Sequence, residues 1–253
     1  MGLFKPDIHD GLIKARTMPV FDHFTSYTDT QLWTSVATGG GASVANNDGD
    51  GGILTLTTGA TLNNEAATKT TRKLFTFVAN KPMLFQCGLK YTEANTDDAG
   101  IVLGFASSWT NILADTTFAL PSTLSGALIY KKPGDTLWSA FGSVGTTQSY
   151  QQSLAPCQGA GIMQYFQIQA IPDPNGQIEL TFWQGMYGIG ATSPYYTPML
   201  PNVTSIARMQ QIKFFLTYTS AAAMQIGVFV KASGSNSEVV YLDYAGAEFL
   251  SIP

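Results

Sequence analysis

Glu93, Asp97 and Asp98, in the run YTEANTDDAG (91–100), are the candidates for paired-carboxylate chemistry. Glycoside hydrolysis needs one carboxyl group to protonate the leaving oxygen and a second to attack, or to activate water, across the bond. The three acids fall between two apolar runs, MLFQCGLKY and GIVLGF, where a solvated turn accounts for them without catalysis. The two histidines, His9 and His23, accompany neither a GxSxG elbow nor an HExxH pair. A non-enzymatic chain with no catalytic residues is expected.

A second constellation could hold a cation. Asn46, Asp48, Asp50 and Gly51 match the first, third, fifth and sixth positions of a calcium loop, but the twelfth, where a bidentate carboxylate belongs, is Thr57. The residues that follow, Ile53 to Thr57, are β-branched or apolar and suit a pleated strand. The stretch therefore reads as a glycine-rich turn feeding a strand, with no metal expected. Cys87 and Cys157 have neither a CxxC spacing nor a histidine cluster, so they read as two buried free thiols, with a disulfide as the alternative. No cofactor motif is present, and none is expected to bind.

Binding without catalysis needs less: an exposed aromatic ring to stack on a sugar face, and a few amide or carboxylate groups to orient hydroxyls. The rings available are Trp33, Trp109, Trp138, Trp183, Tyr187, Tyr195 and Tyr196. Trp138 and Trp183 lie inside strand patterns and are expected in the core. Tyr195 and Tyr196, between Pro194 and Pro198, are expected to face solvent. With Tyr187 they mark the long segment 184–211 as a candidate contact loop for a surface glycan or partner. The sequon Asn202-Val203-Thr204 reads as chance in a cytoplasmically made protein.

Composition narrows the partners. Charged residues make up 12% of the chain and the net charge is −4, against about 25% charged in an average soluble domain. Polarity is carried by hydroxyls and amides, and the scattered Lys and Arg offer no footprint for a phosphate backbone, so nucleic acid is not expected. No run approaches the roughly 18 apolar residues of a membrane span. The N-terminus lacks the apolar core of a secretory signal, and Pro6 stands where myristoylation wants Ser or Thr, so neither export nor a membrane anchor is expected.

The elements that would position any site are strands. Short apolar or alternating runs recur between turn signals: VFDHF (20–24), ILTLT (53–57), KLFTFV (73–78), MLFQCGLKY (83–91), GIVLGF (100–105), GALIYK (126–131), TLWSAF (136–141), MQYFQIQAI (163–171), QIELTFW (177–183), IKFFLTY (212–218), AMQIGVFVK (223–231) and EVVYLDY (238–244). KKPGD, PDPNG and KASGSNS punctuate them as turns, and PDPNG joins its neighbours into a hairpin. Within MQYFQIQAI, Phe166, Ile168 and Ala170 share a face with Gln164, while Tyr165, Gln167 and Gln169 share the other with Met163. So many one-sided strands bury their apolar faces most economically as two packed antiparallel sheets. An all-β sandwich, a jelly roll, is predicted over residues 20–253. Residues 1–19 are predicted to be an extended docking arm whose Leu3, Phe4, Ile8, Leu12 and Ile13 would be buried against a neighbour.

The blocks DGDGGILTLTTGATLNNEA and KPMLFQCGLKYTEANTDDAGIVLGF, together spanning residues 48–105, resemble the front half of the concanavalin/laminin-G-like jelly rolls of tailed-phage virions. The resemblance implies a structural protein of the virion, bound to the capsid exterior as a decoration or cement protein after assembly in the host cytoplasm. It implies the major capsid protein as partner and a homotrimer as the working unit. A carbohydrate-binding module on a tail or fibre is the alternative it implies.

Overall fold

The computed structural model describes residues 20–27, 31–47, 52–93, 98–145, 148–157, 159, 161–186, 210–218 and 222–250. The arm residues Leu3, Phe4, Ile8, Leu12 and Ile13 and the loop residues Tyr187, Tyr195 and Tyr196 lie outside the described residues, as do His9, Asp48, Asp50, Gly51 and Asp97.

Among the described residues fifteen strands are formed: β1 (Val20–Asp22), β2 (Trp33–Thr38), β3 (Ser43–Asn47), β4 (Ile53–Thr57), β5 (Glu65–Thr70), β6 (Met83–Thr92), β7 (Ala99–Ala106), β8 (Gly126–Lys131), β9 (Leu137–Val144), β10 (Gln148–Pro156), β11 (Gln164–Pro172), β12 (Gln177–Met186), β13 (Gln210–Thr217), β14 (Gln225–Ala232) and β15 (Val239–Phe249). An eight-stranded sheet runs in the order β13-β12-β11-β6-β15-β4-β3, with β1 added against β15. A seven-stranded sheet runs β10-β9-β8-β7-β14-β5-β2. Every pairing is antiparallel. Among the described residues there is no helix, and the architecture is the predicted jelly-roll sandwich.

The alternation argument holds at the level of single side chains. Phe166, Ile168 and Ala170 enter the core between the sheets, where they meet Phe85, Phe105, Trp138 and Phe182, while Gln167 and Gln169 stay half-exposed. Gln164, on the dry face, is fully buried because it is satisfied there: its Oε1 accepts from Trp138 Nε1 at 2.9 Å and from Gln184 Nε2 at 3.2 Å. The predicted hairpin forms as β11 and β12, with Asp173 Oδ1 accepting from the backbone of Asn175 and Gln177 and Gly176 at φ 82° closing the turn.

The apolar patterns mislead in four strands and one segment. β2, β3, β5 and β10 were not expected, since WTSVAT, SVANN, EAATKT and QSYQQSLAP have little apolar alternation. Strand β5 succeeds with small residues because it is packed on both faces: Ala66 meets the core between the sheets and Ala67 a second cluster on the outside. KLFTFV (73–78) is not a strand. Phe75 and Phe77 are buried, but a single bridge from Phe75 to Met224 is the only sheet pairing there, so the alternation reports burial without a ladder.

Strand β4 forms as expected and pairs with β3 from Ser43↔Thr57 to Asn47↔Ile53, while Asp48, Asp50 and Gly51 of the calcium-loop spacing lie outside the described residues. Gly52, just ahead of β4, takes φ 77°, and a Cβ there would sit 2.6 Å from the His23 carbonyl oxygen, a position only glycine fills.

Candidate functional site

The outer face of the seven-stranded sheet is divided in two. Over β5, β14, β7 and β8 the β7–β8 connection folds back as a strap, burying Trp109, Ile112, Leu113 and Leu124 against Ala67, Val102, Leu128 and Phe229. One buried cation fastens the strap. Lys231 Nζ donates to Glu65 Oε1 at 2.8 Å, Asp115 Oδ1 at 2.6 Å, Asn111 Oδ1 at 3.0 Å and the Leu113 carbonyl at 2.8 Å. Four acceptors around one ammonium offset the cost of removing it from water.

Beyond the strap, β8, β9 and β10 leave an open depression of about 310 Å³, lined by Lys132, Asp135, Thr136, Leu137, Gln151 and Ser153, with Ser139 among its lining residues. The register explains the grouping: Ser139 stands opposite Tyr130 on one side and Ser153 on the other, and Gln151 stands opposite Phe141. Outward side chains therefore form two rows, one of hydroxyls and one of ring and amide. The β8–β9 turn supplies the charged rim, held by the Lys132 backbone N–H donating to Asp135 Oδ2 at 3.1 Å, and Gly134 takes φ 81° in that turn. The ring of Tyr130 is 1% exposed, packs edge-on to Phe141 at 6.4 Å and has Lys132 Nζ 6.0 Å from its centre. Burial, with the Asp135 charge assisting, pushes the Tyr130 hydroxyl up to about 12, so it stays a neutral hydrogen-bonding group.

A carboxylate, an ammonium, an amide and hydroxyls around an apolar Leu137 side chain can orient several ligand hydroxyls at once while one ring face packs on carbon. This grouping was not anticipated from the sequence. The KKPGD turn was legible, but β10 was not, because its exposed Gln and Ser residues lack an apolar signature.

The acids considered for catalysis are placed differently. Glu93 belongs to a buried ion pair between the sheets, Glu93 Oε1 accepting from Lys131 Nζ at 2.6 Å and from the Ala99 N–H at 3.0 Å. The solvated-turn account of Glu93 is thus corrected: the Lys131 ammonium, 0% exposed, needs this carboxylate as its counter-charge. Asp98 stays half-exposed at the start of β7. His23 packs against Phe21 and Tyr244, and burial holds its imidazole below the usual value. Cys87 and Cys157 are both free thiols, Cys87 buried and Cys157 half-buried, and burial pushes Cys157 up to about 12.

One aromatic also moves. Trp33, Trp109 and Trp138 are at most 2% exposed, but Trp183 is not in the core. It points outward from β12, half-exposed, because in QIELTFW the inward positions are Ile178, Leu180 and Phe182.

No protein-family model matches the chain, and no curated protein matches it in sequence. Solved structures do resemble it. An endo-β-1,4-glucuronan lyase from the fungus Trichoderma reesei superposes with a TM-score of 0.56 at 7% identity, covering 92% of this chain and 96% of the lyase. The Emp47p carbohydrate recognition domain gives 0.55 at 11% identity, covering 94% and 98%. Peanut lectin gives 0.54 at 10% identity, covering 92% and 98%. At such identities the likeness is one of fold, and that fold is the concanavalin-like, legume-lectin-like jelly-roll sandwich over nearly the whole chain.

Proposed function

We propose that this chain is a non-enzymatic carbohydrate-binding domain whose ligand sits in the depression over β8, β9 and β10. The observation that carries the reading is the convergence of Asp135, Lys132, Gln151, Ser139 and Ser153 on one open site of about 310 Å³ beside the exposed Leu137 side chain. Those groups match what orients sugar hydroxyls. The lectin-like fold supports the reading, and so does a surface whose polarity is neutral. Absence of turnover is supported by the engagement of Glu93 with Lys131. A glycan array probed with the wild type and with Gln151→Ala/Ser153→Ala tests it: the wild type should retain a defined set of glycans that the variant loses. An array without a hit, or an unchanged variant, would sink the proposal.

Placement in a phage particle is the second reading, supported by the resemblance of residues 48–105, which map onto β4 to β7. In that setting the domain would be a tail or fibre adhesin, or a homotrimeric decoration on the capsid exterior docked to the major capsid protein through the apolar arm. Labelling intact particles with an antibody against the sandwich separates head from tail.

A further inference from the structure

We infer a second carbohydrate site on the opposite side of the molecule: a track for an extended, uncharged glycan chain on the outer face of the eight-stranded sheet, along β12 and β13. It shares only its ligand class with the depression.

The track begins with two rings that have no structural reason to face water. Trp183 is half-exposed, and Phe215, 55% exposed, is the most exposed of the large apolar side chains among the described residues. Both point outward from neighbouring strands. Trp183 stands opposite Gln211, which lies four residues before Phe215 on β13, so the rings are about 13 Å apart along the strands. Such a separation suits two sugar rings of one chain and exceeds the reach of a single ring.

Between the rings lie the Thr181 hydroxyl and the Lys213–Glu179 pair, and beside Trp183 lie amides. A register row runs Gln86, Gln167, Trp183, Gln211 across four adjacent strands, and the next row places Gln169 opposite Thr181 and Thr181 opposite Lys213. Gln86 Nε2 donates to Gln167 Oε1 at 2.9 Å, which fixes the Gln167 amide and turns its own nitrogen into an oriented donor beside Trp183. Gln86 Oε1 is left buried without a hydrogen-bond partner. The charges in the track, Lys213 and Glu179 opposite Phe215, form one ion pair at 2.6 Å.

This chemistry selects the occupant. A second protein copy would call for a continuous apolar centre, and a polyanion for unpaired cations. Isolated rings with a hydroxyl and a neutralised ion pair between them and amides beside them, carrying no net charge, fit the apolar faces and hydroxyl edges of a neutral linear oligosaccharide.

Trp183 supplies its own reporter, because the other three tryptophans are buried. Intrinsic fluorescence should be titrated with cellohexaose, mannohexaose and chitohexaose, with glucose as the single-ring control. At least one hexasaccharide should shift or quench the emission, glucose should not, and the change should persist in Gln151→Ala/Ser153→Ala, which damages only the depression. Trp183→Phe should abolish the signal, and Phe215→Ala, at an exposed position, should weaken calorimetric affinity by about tenfold or more. No change with any hexasaccharide, or a change that disappears in the depression variant, overturns the track. So does a protein-concentration-dependent emission change matched by dimer formation in sedimentation, which would assign the face to a second copy.

Discussion

Glu93 and Lys131 show at single-residue scale why an acid at the head of a turn need not be chemical. With Lys131 wholly buried, removing either partner strands the other charge, whereas removing both together removes the problem. Glu93→Gln should destabilise the fold by about 3 kcal/mol, and Glu93→Gln/Lys131→Met should recover most of that loss, measured by urea unfolding. A second residue makes a pH prediction. Burial pushes the Asp243 carboxyl from 3.8 up to about 6, and its Oδ2 is buried without a hydrogen-bond partner. The folded state therefore holds this proton more tightly than the unfolded chain does. The stability that the protonated group confers is complete below about pH 4 and is lost as pH rises through about 6. Asp243→Asn should raise stability near pH 7.5 by about 1 kcal/mol, allowing for the solvent that reaches the side chain, and change little near pH 4. Thermal melts at the two pH values check it; an equal gain at both would refute the assignment. Neither role was legible in the sequence, because each depends on what a different strand places opposite.

At the scale of elements, the strap between β7 and β8 decides which part of the seven-stranded sheet is open. Lys231 holds it through four acceptors, three of them on the strap itself at Asn111, Leu113 and Asp115 and one on β5 at Glu65. Lys231→Met should accelerate amide hydrogen exchange throughout residues 107–125 and leave β11 and β12 protected. Exchange that rises uniformly would mean that the lysine stabilises the whole sandwich and not the strap in particular. Strands of this molecule were readable where apolar residues alternate: ILTLT and GALIYK are β4 and β8 residue for residue. They were unreadable where a strand is an edge, as with the polar β10, or is packed on both sides by small residues, as with Ala66 and Ala67 in β5. The candidate site inherits that gap. Its rim, the KKPGD turn, is a local signal, but Gln151 and Ser153 join it only through the β9–β10 register, and Trp183, expected in the core because it lies in a strand pattern, is turned outward by the phase of β12.

At the scale of the whole molecule, the ladder of the described residues starts at Val20, which pairs with Ala247 of β15. A chain beginning at Thr17 should melt within a few degrees of the intact one, and a failure to fold would assign the arm to the sandwich. The central claim is that a lectin-like fold here carries a working sugar site on the seven-stranded sheet. Amide chemical-shift mapping tests it most directly, with a glycan selected on the array titrated into isotope-labelled protein. Saturable shifts are expected at Lys132, Asp135, Thr136, Ser139, Gln151 and Ser153, which line one depression. Saturable binding that leaves all six unshifted would contradict it.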